Sequence, residues 1–154
     1  MESSVGLQTL LYFNVWFSAL WLIFYFLMGR WRSANLETPL AFNVMSPLVF
    51  ILWLLAEPVR MYFGWSGNLE EKVPQLGTFV LLSVFPTFVS IVYFLGLAPN
   101  RMPIDYALNA VMAFFVGAEV FMAGRMIVRL VNTQTARVRT GDIELDHLRS
   151  DKRL

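Results

Sequence analysis

Of the 154 residues, 57% are hydrophobic and only 15% charged, and the mean hydropathy is +0.57. That is too little charge to coat a soluble domain, so the solvent for most of this chain is lipid. A formal net charge of +1 offers no case for nucleic-acid binding. The absence of cysteine removes disulfides, thiolate metal sites and a cysteine nucleophile, while leaving the redox compartment open.

The N-terminus, MESSVGLQ, has no basic region before its apolar run, and that run is as long as a membrane span, so no cleaved signal peptide is read. No charge falls between Glu2 and Arg30. A helix needs roughly 20 residues to cross a hydrocarbon core, and residues 5–28 supply the first predicted span. Leu40 to Ala56 is also uncharged but falls short, so the second span, 40–63, carries Glu57 and Arg60 into its boundary region. The third, 74–97, is interrupted only by Pro86 and small residues that a bundle accommodates. In the fourth, 104–128, Tyr106 to Ala118 is free of charge, and the crossing must continue past Glu119. A helix lying in the interface is the alternative there, but apolar residues go all round this segment instead of forming one stripe.

The expected fold is therefore all-α: a four-helix transmembrane bundle over residues 1–131 with short loops, then a charged cytosolic tail, 132–154. Four spans put both termini on one side. The tail and the loop between spans two and three hold Arg60, Lys72, Arg125, Arg129, Arg137, Arg139, Arg149, Lys152 and Arg153, against Arg30, Arg32 and Arg101 elsewhere. That asymmetry places both termini in the cytosol and makes GRWRSANLETP and APNRMP short turns on the far side. The tail mixes signs and has few large apolar residues, as a solvated or partner-binding segment does.

Three charges inside the apolar runs are the candidate site. Glu57 and Arg60 are three residues apart and project from nearly the same helix face, either as an interfacial pair reaching toward headgroups or as part of a polar path. Glu119 has no cation within reach on its own helix. Spans two and four run in the same direction, so Arg60 is expected to bridge Glu57 and Glu119 near the cytosolic end. Ala110, Ala113, Gly117 and Gly124 fall within about 60° of one another on span four, a flat stripe for close helix packing, used by neighbours in the bundle or by a partner protein. Pro47, Pro58 and Pro86 predict kinks. Gly64, Gly67, Asn68 and Leu69 read as a tight turn out of span two, with Glu70, Glu71 and Lys72 keeping the connection wet before Pro74 starts the next helix. The five tryptophans are scattered, and those near span ends can anchor at headgroups. His147 is the only histidine and sits in the tail, so neither a metal cluster nor a triad is expected, and no phosphate loop, zinc-protease helix or serine elbow occurs. The reading is a non-enzyme without a cofactor.

The run Glu57, Arg60, Met61, Tyr62, Gly64, Gly67, Asn68, Leu69 resembles the transmembrane protein 17 family, whose relatives include transmembrane proteins 216 and 80. The family pattern is an acidic residue, two positions, an arginine, two large residues, a glycine and a Gly-Asn-Leu. The following EEKVPQLGTFVLLS is similar to transmembrane protein 17, while LQTLLYFN and FFVGAEVF are similar to the 216 relative; Pro58 departs from the small or aliphatic residue expected there. The resemblance covers nearly the whole bundle. It implies a tetraspanning structural component of the ciliary transition zone, in the Meckel-syndrome module with tectonic-type partners. There it would contribute to a membrane diffusion barrier, cilium assembly and ciliary signalling, with membrane lipids around it and no small-molecule substrate. The rival reading is a small channel or transporter using Glu57, Arg60 and Glu119; a lipid-handling enzyme ranks behind it for want of a catalytic cluster.

Overall fold

The computed structural model describes residues 3–151, with side chains through residue 140. Four helices account for it: α1 (Val5–Asn35), α2 (Leu40–Leu69), α3 (Val73–Leu97) and α4 (Pro103–Asp151). The fold is 90% helical, with no strand among the described residues. All four helices, the last over Pro103–Thr140, are long and apolar enough to cross a membrane.

Three of the helices outrun their predicted spans by one to several turns. A helix leaving the hydrocarbon still satisfies its own backbone, so it continues until the sequence supplies a stop. For α1 the stop is Leu36, whose extended backbone (φ −131°, ψ 135°) ends the run ahead of Pro39. The turn between α1 and α2 is thus shorter than GRWRSANLETP. At the other end Ser4 caps α1, its Oγ accepting from the Leu7 amide at 3.3 Å. The predicted tail is likewise a continuation of α4, helical to Asp151, because nothing between Gly124 and Gly141 breaks the helix.

Pro47 and Pro58 sit inside α2 without ending it. Pro86 does more: Phe85 before it is extended (φ −138°, ψ 122°) and the Phe85–Pro86 peptide is cis. The helical run of α3 divides into Val73–Leu82, Ser83–Phe88, Val89–Val92 and Tyr93–Leu97, the second and fourth being wider π-type turns. The residue preceding a proline is pushed out of the helical region by contact with its ring, which accounts for the break at Phe85.

The interior is stratified. One apolar layer gathers Trp21, Phe50, Trp53, Ile91, Phe94, Met112 and Val116, with Trp21 and Trp53 4.4 Å apart between ring centroids. A second gathers Leu7, Leu11, Leu76, Phe79, Ala123, Met126 and Leu130. Each helix places buried polar residues between the two: Asn14 and Ser18, Glu57 and Arg60, Ser83, and Glu119, while Asn68 and Asn109 are buried nearer the two ends of the bundle. The outside is as apolar as the inside, with Phe114 70%, Phe121 64% and Ile23 62% exposed, the inversion expected of a surface solvated by lipid tails.

Candidate functional site

Arg60 stands at the centre of the polar layer and is fully buried. Its guanidinium forks onto Glu57, with Nε donating to Oε2 at 3.1 Å and Nη2 to Oε1 at 2.8 Å. Nη1 donates to Glu119 Oε2 at 2.6 Å and, more weakly, to Ser83 Oγ at 3.4 Å. The cation also lies 5.5 Å from the centroid of the Phe79 ring. α1 completes the shell: Asn14 Nδ2 donates to Glu119 Oε1 at 2.9 Å, and Ser18 Oγ to Glu57 Oε1 at 2.7 Å. Each of the four carboxylate oxygens therefore accepts at least one hydrogen bond, and each helix contributes at least one side chain.

Burial makes these bonds strong. In a low-dielectric interior a lone charge is too costly to keep, whereas a planar guanidinium with bidentate carboxylate contacts is stabilised by charge and geometry together. Cavities of about 720 and 450 Å³ at the bundle surface are lined by other side chains. The arrangement suits holding four helices at one axial level.

The geometry revises the interfacial-pair reading. Arg60 lies nine residues inside α2, about 14 Å along the axis from its end, and both Glu57 and Arg60 point into the bundle. The expected level near the cytosolic end assumed that α2 stops near Phe63. It runs on to Leu69, which sets the pair deep in the span.

The predicted turn residues are also helical. Gly64, Gly67, Asn68 and Leu69 form the last two turns of α2, and the reversal is made by Glu70 and Glu71, the latter at φ 54°. Lys72 donates to Glu70 across 2.5 Å, and that contact holds the Glu70 carboxyl below its ordinary value. The glycines serve close approach. A Cβ on Gly64 would meet the Phe79 ring at 2.7 Å, and one on Gly67 the backbone nitrogen of Leu76 at 2.9 Å. Asn68, 1% exposed, grips the start of α1: its Oδ1 accepts from the Ser4 amide at 2.9 Å, and its Nδ2 donates to Ser4 O at 3.0 Å and Gln8 Oε1 at 2.6 Å.

On α4 the buried face is Asn109, Met112, Val116, Glu119, Ala123, Met126 and Leu130. The small-residue stripe lies beside it: Ala110 and Gly117 are exposed, Ala113 and Gly124 half-buried, and a Cβ on either glycine would meet nothing within 4 Å. Among the described residues, no neighbour packs into it there.

Sequence reasoning missed Asn14, Ser18 and Ser83. The four-residue spacing of Asn14 and Ser18 in an otherwise apolar run was the available signal, since it places both on one helix face. It also missed the tie at the opposite end, where Arg32 of α1 pairs with Asp105 of α4. Asp105 Oδ2 accepts from the Met102 amide at 2.7 Å, and Trp21 Nε1 donates to Asn109 Oδ1 at 3.3 Å.

Fold and site together define an integral membrane protein of four helices keyed by a buried ion network. The Transmemb_17 family model, described as a predicted membrane protein, matches residues 9–116. Among curated proteins the chain is 32% identical to transmembrane protein 17 of Bos taurus, over 99% of this chain and 77% of that protein. It is 32% identical to transmembrane protein 17 of Homo sapiens, over 94% and 72%, and 36% identical to transmembrane protein 17B of Danio rerio, over 82% and 68%. The chain belongs to the transmembrane protein 17 family. No solved structure matches it.

Proposed function

We propose that this protein is a structural component of the membrane at the ciliary transition zone. It works in the Meckel-syndrome module beside tectonic-type and other membrane proteins, and contributes to the barrier between plasma and ciliary membranes, to cilium assembly and to signalling. The observation that carries the reading is family membership, anchored in the motif from Glu57 to Leu69, where Glu57 and Arg60 lock the helices, Gly64 and Gly67 admit α3, and Asn68 holds α1. Such a bundle acts through lateral contacts with other membrane proteins and with lipid. Both termini face the cytosol on the lysine and arginine count, and the role is non-enzymatic. The channel reading gains no support, since the charged groups it needs are engaged with one another.

The test is super-resolution imaging with proximity labelling of the tagged protein in a ciliated cell of its source organism. A ring at the cilium base with tectonic-type neighbours is the expected result. An even distribution over an endomembrane, without such neighbours, would sink the reading.

A further inference from the structure

A cavity of about 720 Å³ lies against α4 beside the start of α1, and the bundle makes no use of it. Its lining changes character along its length. Ala118, Phe121 and Met122 make an apolar trough, while Arg125, Arg129 and Ser4 line its outer end. From Ala118 to Arg129 is about 16 Å along the helix. At the floor Gly6 lies against Met122, whose flexible Cε stands 2.5 Å from where a Cβ would be.

The outer end lies at a definable depth. Ser4 caps α1 just ahead of its uncharged run, so the rim sits where hydrocarbon gives way to headgroups. Arg125 and Arg129 are exposed and four residues apart, one above the other on the same face. Arg32, Arg60 and Lys72 each have a carboxylate partner; among the described residues Arg125 and Arg129, like Arg30, Arg101, Arg137 and Arg139, have none, and of these only Arg125 and Arg129 line the cavity. Arg125 instead lies 5.7 Å from the Phe121 ring centroid, which turns its charge toward the trough. Ser4 Oγ accepts from Leu7, leaving its O–H proton to donate.

A second apolar helix would fill the trough but leave two guanidiniums unmatched. An amphiphile with an anionic head matches both ends, and guanidinium forks suit phosphate oxygens. We propose that this groove binds an anionic glycerophospholipid, its phosphate between Arg125, Arg129 and Ser4 and an acyl chain along Ala118, Phe121 and Met122. The site is independent of the ciliary reading.

The full chain, reconstituted in phosphatidylcholine vesicles with a minority of phosphatidylserine, is released for native mass spectrometry and its retained lipids counted. Wild type retains phosphatidylserine above its share of the bilayer. Each basic residue near an anionic surface is worth about fivefold, so Arg125→Gln with Arg129→Gln lowers that preference by about twenty-five-fold. Arg30→Gln, an exposed cation in the last turns of α1, at its opposite end, leaves it unchanged. Ala118→Trp fills the trough with both arginines kept, and lowers it too. An unchanged preference in the arginine pair overturns the proposal. So does a full preference in Ala118→Trp, which means surface charge alone. A photo-crosslinking residue at Phe121 gives lipid adducts if the site is right; adducts to a second copy or another polypeptide overturn it.

Discussion

Arg60 is tolerable in hydrocarbon only because four of its five N–H groups are directed at acceptors, three of them on carboxylates. Removing the cation leaves Glu57 and Glu119 facing each other without compensation. Arg60→Gln is therefore expected to destabilise the protein by about 3–5 kcal/mol, read as thermal unfolding in detergent. Glu119→Gln costs less, and in the Arg60→Gln background it costs little more or restores stability. Equal losses in both backgrounds would mean that the two side chains do not interact. Thr87 offers the reverse case: it is fully buried and its hydroxyl has no partner among the described residues. Replacing it with valine, of the same shape, should raise stability by about 1 kcal/mol or more, and a lowered unfolding temperature would show that the hydroxyl is satisfied. The three charges were legible in the sequence because an ionised side chain inside an apolar run has few other fates. Asn14, Ser18 and Ser83 were not, since neutral polar residues can also sit at a helix surface at little cost.

At the scale of elements, glycine carries two different meanings in one chain. Gly67 sits where α2 and α3 nearly touch, and its obstruction is a backbone atom that cannot rotate away. Gly67→Ala should cost about 1–3 kcal/mol by forcing the helices apart. Gly117→Ala meets open space, and should stabilise α4 by up to about 1 kcal/mol through helix propensity alone. A clear loss at Gly117, measured on the isolated protein, would mean that a second copy packs there. The sequence showed both glycines but could not tell a turn from a close approach, because each uses the missing Cβ. The break in α3 was readable from Pro86; the lengths of α1, α2 and α4 were not, since hydropathy marks where lipid ends and not where a helix does.

For the whole molecule, the polar layer acts as a key. Apolar helices in lipid can slide past one another with little change in burial, because lipid tails are as apolar as leucine. A layer of mutually satisfied polar groups admits one axial alignment. Replacing Glu57, Arg60 and Glu119 together with leucine or methionine removes a desolvation cost of about 1–4 kcal/mol but orphans Asn14 Nδ2, which costs about 1–3 kcal/mol, so stability should stay near that of the wild type while register loosens. Disulfide trapping between helix pairs would then report several alignments where the wild type gives one. A single alignment in the triple variant would remove the key from the explanation. The chain's lack of cysteine also allows single-cysteine labelling without background. Ser3→Cys and Thr140→Cys should react from one side of the membrane, and Ser33→Cys and Asn100→Cys from the other. Labelling of Ser3 and Thr140 from opposite sides would overturn the even number of crossings.

Length, hydropathy and the position of a few charges determined by themselves that this is an all-helical membrane protein with four crossings, because a backbone in lipid has almost no other way to satisfy its hydrogen bonds. Which faces meet is a different kind of information. The bridge from Arg60 to Glu57 and Glu119 was expected from sequence, but only the tertiary structure decided that it takes in Asn14, Ser18 and Ser83, that Asn68 reaches back 64 residues to Ser4, and that Arg125 and Arg129 are left facing an open groove. Those outcomes depend on the rotation and axial offset of each helix. Both are set by interlocking contacts between residues far apart in the chain, and helical periodicity within one segment does not encode them.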